Sequence, residues 1–141
     1  MSYETVEAGL QTEIVALTNF TAEQVSLNDW RILSHGVPHA VILEYLSFES
    51  ERTSSDVSTL FRWVTRIHLF VRYTDDDTAN NNIRDRRDEI ITRILKNPKL
   101  GGSALDSLPI AGEAIPEEVE VGGISFLHEH IDVAIEEVVR A

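Results

Sequence analysis

From Leu60 to Tyr73 the side chains alternate, with Phe61, Trp63, Ile67, Leu69, Val71 and Tyr73 on one parity and Arg62, Val64, Arg66, His68, Phe70 and Arg72 on the other. A period of two predicts one long strand, buried on its odd-numbered face and largely wet on its even-numbered face. The alternation returns after Gly122-Gly123, where Leu127, Ile131, Val133 and Ile135 interleave with His128, His130, Asp132, Ala134 and Glu136, giving a final strand over 124–139. A third run, His39 to Leu46, is rich in β-branched and aromatic residues and follows Gly36 and Pro38; it also reads as a strand. A short strand is expected around Leu105 to Ile110, between the turn Leu100-Gly101-Gly102 and Pro116.

Two segments carry the helical period instead. Val6, Leu10, Ile14 and Leu17 recur at three- and four-residue spacing between Glu4, Glu7, Gln11 and Glu13, which predicts an amphipathic helix over 3–17. Asp75-Asp76-Asp77-Thr78 supplies an N-cap and negative charge for a second helix running to about Asn97. Its core stripe is Ile83, Ile90, Ile91, Ile94 and Leu95, its spaced ion pairs are Arg84/Asp88 and Glu89/Arg93, and Pro98 ends it. Phe20 to Leu33 is irregular: Thr21-Ala22-Glu23-Gln24 matches a capping box, yet Val25-Ser26-Leu27-Asn28 does not continue a helix. Glu49 to Ser58 holds a polar run with nothing to bury and reads as an exposed, mobile hairpin loop. The element order predicts an α+β fold in a single domain over residues 1–141: a four-stranded, mainly antiparallel sheet with two helices packed on one face and the other face polar.

Charge changes the picture next. The chain has 24 acidic and 12 basic side chains, for a formal net charge of -12. Such a molecule repels polyphosphate and anionic lipid, which argues against nucleic-acid or membrane-surface binding as its main role. Only Lys96 and Lys99 are lysines; the remaining cations are arginines. An acid-rich, lysine-poor surface fits either a halophilic setting or an ordinary acidic cytoplasmic protein. The chain has no cysteine, which removes thiol chemistry, iron–sulfur ligation and disulfides. The opening residues lack a basic region, and no apolar run is long enough to span a bilayer, so the chain reads as neither exported nor membrane-inserted.

His128-Glu129-His130-Ile131-Asp132 places two histidines and an aspartate on alternate positions of one strand face, a partial match to the HxHxDH pattern of metallo-β-lactamase-like hydrolases. Val133 stands where the last histidine of that pattern belongs, and no third ligand is announced. A charge ladder accounts for more residues: Arg62, Arg66, His68 and Arg72 on one long strand face His128, His130, Asp132 and Glu136 on the other, a surface suited to solvent or to a neighbouring subunit. No phosphate loop, dinucleotide fingerprint, nucleophile elbow or zincin helix occurs, and Trp30 and Trp63 read as core or staple residues rather than a stacking platform. Nothing marks an enzyme; no catalytic residue, metal ligand or cofactor is expected.

The N-terminal helix, Asp29-Trp30-Arg31-Ile32-Leu33 followed by Gly36 and the strand Pro38 to Tyr45, the polar loop, the long charged strand, the second helix closing in Asn97-Pro98-Lys99-Leu100-Gly101-Gly102, and the final strand together resemble the tail terminator (tail completion) proteins of long-tailed phages and related viruses. The resemblance covers nearly the whole chain and implies a structural virion protein of the tail and neck, assembled in the host cytoplasm. It implies a hexameric ring of the chain with itself, capping the tail tube protein and receiving the head-completion (neck) protein, with DNA passing through without sequence-specific binding and no cofactor. On that model Glu49, Ser50, Glu51, Arg52, Thr53, Ser54, Ser55 and Asp56 form an assembly arm, and the low lysine content fits a virus of a halophilic host. The alternatives are another small head–tail joining or tail tube protein, a cytoplasmic adaptor domain, or a small metal-dependent hydrolase using His128, His130 and Asp132.

Overall fold

The computed structural model describes residues 3–17, 20–35, 37–52, 58–112 and 116–140. Two helices, α1 (Tyr3–Val15) and α2 (Asp76–Lys96), accompany β1 (Val25–Leu27), β2 (His39–Arg52), β3 (Ser58–Arg72), β4 (Asp106–Gly112), β5 (Glu117–Val121) and β6 (Ile124–Arg140). The strands form one mixed sheet in the order β1-β2-β3-β6-β4, with β5 also paired to β6. All pairings are antiparallel except that of β1 with β2.

The α+β class and both helices agree with the sequence, but the sheet has six strands, not four. β1 is three residues long and therefore shows no period; only its register with Val41–Leu43 makes it a strand. It follows a single 3-10 turn, Ala22–Gln24, which is all that the capping-box match yields: Gln24 Oε1 accepts from the Thr21 amide at 3.1 Å and the chain then extends. β5 lies beyond Pro116 and is largely acidic, so it lacks the apolar alternation of a half-buried strand. It joins β6 through Gly122-Gly123, whose φ values of 59° and 81° are those a two-residue hairpin turn requires.

A second correction concerns the expected loop. Glu49, Ser50, Glu51 and Arg52 continue β2, paired with Arg62, Phe61, Leu60 and Thr59. Their polarity signals exposure, and an exposed strand needs only its backbone ladder and favourable cross-strand pairs such as Glu49 opposite Arg62. Thr53, Ser54, Ser55 and Asp56 lie outside the described residues.

Both helices pack on the odd-numbered face. Val6, Leu10 and Ile14 of α1 and Ala79, Ile83, Ile90 and Ile94 of α2 join Val41, Leu43, Ile67, Leu69, Val71, Ile131, Val133 and Ile135 in one buried cluster. Each large apolar side chain so buried contributes about 1.5–3 kcal/mol. Leu95, expected in the α2 stripe, is 56% exposed, because one helix cannot turn five such positions to a single sheet. Asp75 caps α2 by accepting from the Thr78 amide, which holds its carboxyl below the usual carboxylate range. The expected Glu89/Arg93 pair is replaced: Arg86 binds Glu89, while Arg93 reaches Glu13 of α1 at 2.6 Å and ties the two helices together.

Gly9 marks the closest approach of α1 to the turn after α2. A Cβ there would lie 2.6 Å from Ser103 Cβ and 3.2 Å from the Leu100 carbonyl oxygen. Only glycine allows this separation.

The even-numbered face is not uniformly wet. At its Pro38 end a 3-10 segment, Trp30–His35, crosses it, and Leu33, Ala40, Ile42, Phe70 and Phe126 form a second buried cluster. The sequence pattern hides this because the cover comes from an irregular segment with no period of its own.

Candidate functional site

The charge ladder exists where β3 and β6 pair, with a register that selects among its members. Arg62 lies opposite Glu136, Arg66 opposite Asp132, and His68 opposite His130. Arg66 grips Asp132 with two nitrogens at 2.8 and 3.2 Å, a planar fork on a carboxylate. Arg72 falls opposite Phe126, and His128 opposite Phe70, so these two are not charge-matched across the strands.

His68 is the centre of this face. It is 7% exposed, its Nδ1 lies 2.9 Å from His128 Nε2, and its Nε2 lies 3.2 Å from Glu44 Oε1. The Trp30 ring stands edge-on to it at 4.7 Å, and His128 stacks on Phe70 at 4.6 Å. Burial pushes the His68 imidazole below its ordinary value, against the opposing pull of Glu44. Trp30, expected in the core, is thus a lid, 40% exposed. Among the described residues no group of three or more acidic, histidine or cysteine side chains is disposed to hold a metal ion, and Asp132 is engaged by Arg66.

The far half of the β2–β3 hairpin has a different character. A bulge between Tyr45 and Ser47 shifts the register, so Phe48 rather than Ser47 shares a face with Trp63. Every residue from Tyr45 to Arg52 is exposed. On the helix-side face Phe61 and Trp63 stack at 5.5 Å and 10°, Phe48 lies 5.3 Å from Trp63, and Tyr45 lies 6.0 Å from it. Phe48 is 52% exposed, so this aromatic patch is open to a partner.

Beside the patch lies Glu137, fully buried on β6 opposite Phe61. Its Oε1 accepts from the Trp63 indole at 3.0 Å; among the described residues its Oε2 has no hydrogen-bond partner. The other buried carboxylate of this face, Glu129, is matched: Arg87 of α2 reaches both its oxygens, at 3.2 and 3.3 Å. Desolvation still raises Glu129 above the usual carboxylate range, with Arg87 opposing.

Tyr45, Phe48, Phe61 and Glu137 were missed in the sequence. The odd parity of Phe61 predicts core, yet it is only half-buried, and the bulge that turns Phe48 onto the same face leaves no mark in the pattern. Glu129 and Glu137 did leave one: both place a charge on the apolar parity of β6, which is the signature of a buried pair or an unfinished one.

An open groove of about 520 Å³ lies between Leu17 and the Asp85–Lys96 stretch of α2. Its lining is Asp85, Asp88, Glu89, Arg93 and Lys96 with Leu17 and Thr92, and Glu89 and Arg93 are held by Arg86 and Glu13. Among known proteins, no protein-family model matches the chain and no curated protein is significantly similar to it.

Proposed function

We propose that the chain is a structural subunit of a virion neck, a tail-terminator-like protein that closes the tail tube as a ring and joins it to the head-completion protein. The observation that carries this reading is the β2–β3 hairpin, whose far half exposes an aromatic face that the chain's own helices leave uncovered. Trp63 still packs against the core, but the exposed rings of Tyr45 and Phe48 add contact area for a neighbour. The arm of the sequence reading is thereby redefined as a two-stranded paddle, Tyr45 to Arg52 with Ser58 to Val64.

The acidic surface supports the same role. A ring through which DNA slides works best with few cationic contacts to phosphate, and five of the arginines are engaged by carboxylates of the same chain. The side chains required for this role bind; none of them reacts.

A reconstruction of purified particles tests the proposal. The expected result is a ring of copies at the head-proximal end of the tube. Absence of the chain from particles, or its presence in one or two copies, overturns it.

A further inference from the structure

We infer that the aromatic patch on the hairpin is a receptor for a basic side chain, an arginine or lysine presented by a different protein, with Glu137 as its counter-charge. Two independent observations meet here. Four aromatic rings form a cluster, with Phe48, Phe61 and Trp63 about 5–6 Å apart and Tyr45 6.0 Å from Trp63, and ring faces attract cations. At the N–H edge of the Trp63 indole lies a carboxylate that is 0% exposed and has one oxygen unpartnered.

A buried carboxylate oxygen without a donor is a standing cost to the isolated chain. Glu129, on the same strand face, shows how the fold resolves that cost when it supplies its own cation, through Arg87. Among the described residues Glu137 meets only the neutral indole. The missing donor therefore comes from outside, and a guanidinium is the group that stacks on aromatic rings and forks onto a carboxylate at once. An incoming side chain meets the open rings of Phe48 and Tyr45 first and reaches Glu137 as the Trp63 edge shifts.

Charge balance says that the donor is another protein rather than a second copy. The chain has two lysines, its net charge is -12, and Arg31, Arg66, Arg86, Arg87 and Arg93 already hold carboxylates. At this patch the net charge of -12 favours a basic partner over another copy of the chain. The inference rests on the reading of the hairpin as an assembly surface, but not on the ring.

The experiment is a titration of the isolated protein with a hexa-arginine peptide at about 0.5 M potassium chloride, where the Debye length of about 4 Å suppresses general attraction. It follows the indole N–H resonance of Trp63 by NMR, assigned with Trp63→Phe. The expected result is a saturable shift of that resonance, with affinity lowered about tenfold or more in Glu137→Gln and hardly altered in Glu49→Gln, which removes the same charge from the surface. Glu137→Asp, which keeps the charge and shortens its reach, is expected to weaken binding to a similar degree. Without peptide, Glu137→Gln is expected to melt no lower than the parent, because the charge it removes is unmatched. Equal weakening by Glu49→Gln, or no shift at Trp63, reduces the patch to unspecific charge attraction. A marked fall in melting temperature for Glu137→Gln makes the carboxylate structural. Either result overturns the inference and leaves the ring proposal standing.

Discussion

His68 and His128 share a 2.9 Å hydrogen bond although they are not partners in the β3–β6 register; His68 pairs with His130 and reaches diagonally. One imidazole must donate and the other accept, so the contact requires at least one neutral ring.

That requirement sets a pH dependence. The folded state holds His68 below its ordinary value of 6.5, so between the two values the unfolded chain binds more protons. Its contribution to stability is complete above about pH 6.5 and is lost as pH falls through that value and then through the lower folded one. Denaturant melts at pH 7.5 and pH 5.5 should show lower stability at the acid end, and His68→Gln should flatten the difference. The neighbouring charges that enter this response are Glu44, Arg66 and His130. Glu129 acts with the opposite sign, since its raised carboxyl favours the folded state as it protonates.

Arg87→Met should leave Glu129, 1% exposed, as a charge without a counter-ion. Breaking such a pair on one side costs about 3–5 kcal/mol. Urea denaturation should show a loss of that order, and adding Glu129→Gln to the same chain should recover a large part of it. Strict additivity of the two single changes would mean that the pair is not coupled.

Gly9→Ala should destabilise by about 1–3 kcal/mol, because the new methyl meets Ser103 Cβ at 2.6 Å. Ser103→Gly removes that atom and should restore some of the loss in the double variant. The check is a double-mutant cycle from thermal melts.

Salt should raise the melting temperature. With a net charge of -12, self-repulsion falls as the Debye length shrinks from about 10 Å at 0.1 M to about 3 Å at 1 M. A melting temperature that is flat or falls over that range would count against a high-salt setting.

Phe48→Ser and Tyr45→Ser should fold almost as the parent does, since both side chains are more than two-fifths exposed and surface changes stay within about 0.5 kcal/mol. They should impair assembly into particles, measured as the yield of joined heads and tails. Normal yield with both changes present would retire the hairpin as an assembly surface.

How much of this was legible depends on where periodicity carries information. β3 and β6 alternate so regularly that their extent and the odd-numbered core could be read directly, and α2 announced itself through Asp75 and Ile83, Ile90 and Ile94. β1 and β5 could not be read, because three residues carry no period and an acidic strand looks like a loop. The pattern predicts a wet even-numbered face because its cover, Trp30–His35, is irregular in sequence and becomes a lid only by crossing distant strands. At the candidate site parity put Arg66 and Asp132 on one face, while their pairing follows from the β3–β6 register. The aromatic patch was not, since the bulge at Tyr45/Ser47 decides which residues face together.

β6 is the seam of the sheet, pairing with β3 on one side and with β4 and β5 on the other. Its contacts with β3 join residues far apart in the chain, 66 positions for Arg66 and Asp132 and 74 for Trp63 and Glu137. Loops of that size close slowly, and sheets built on them fold in milliseconds to seconds, while a hairpin such as β2–β3 forms in about 1–10 μs. During the interval the hairpin stands with one edge unzipped and its aromatic rings bare, so the nascent protein is most adhesive just before it is finished, and its yield on overproduction is set by how dilute it is kept during that interval.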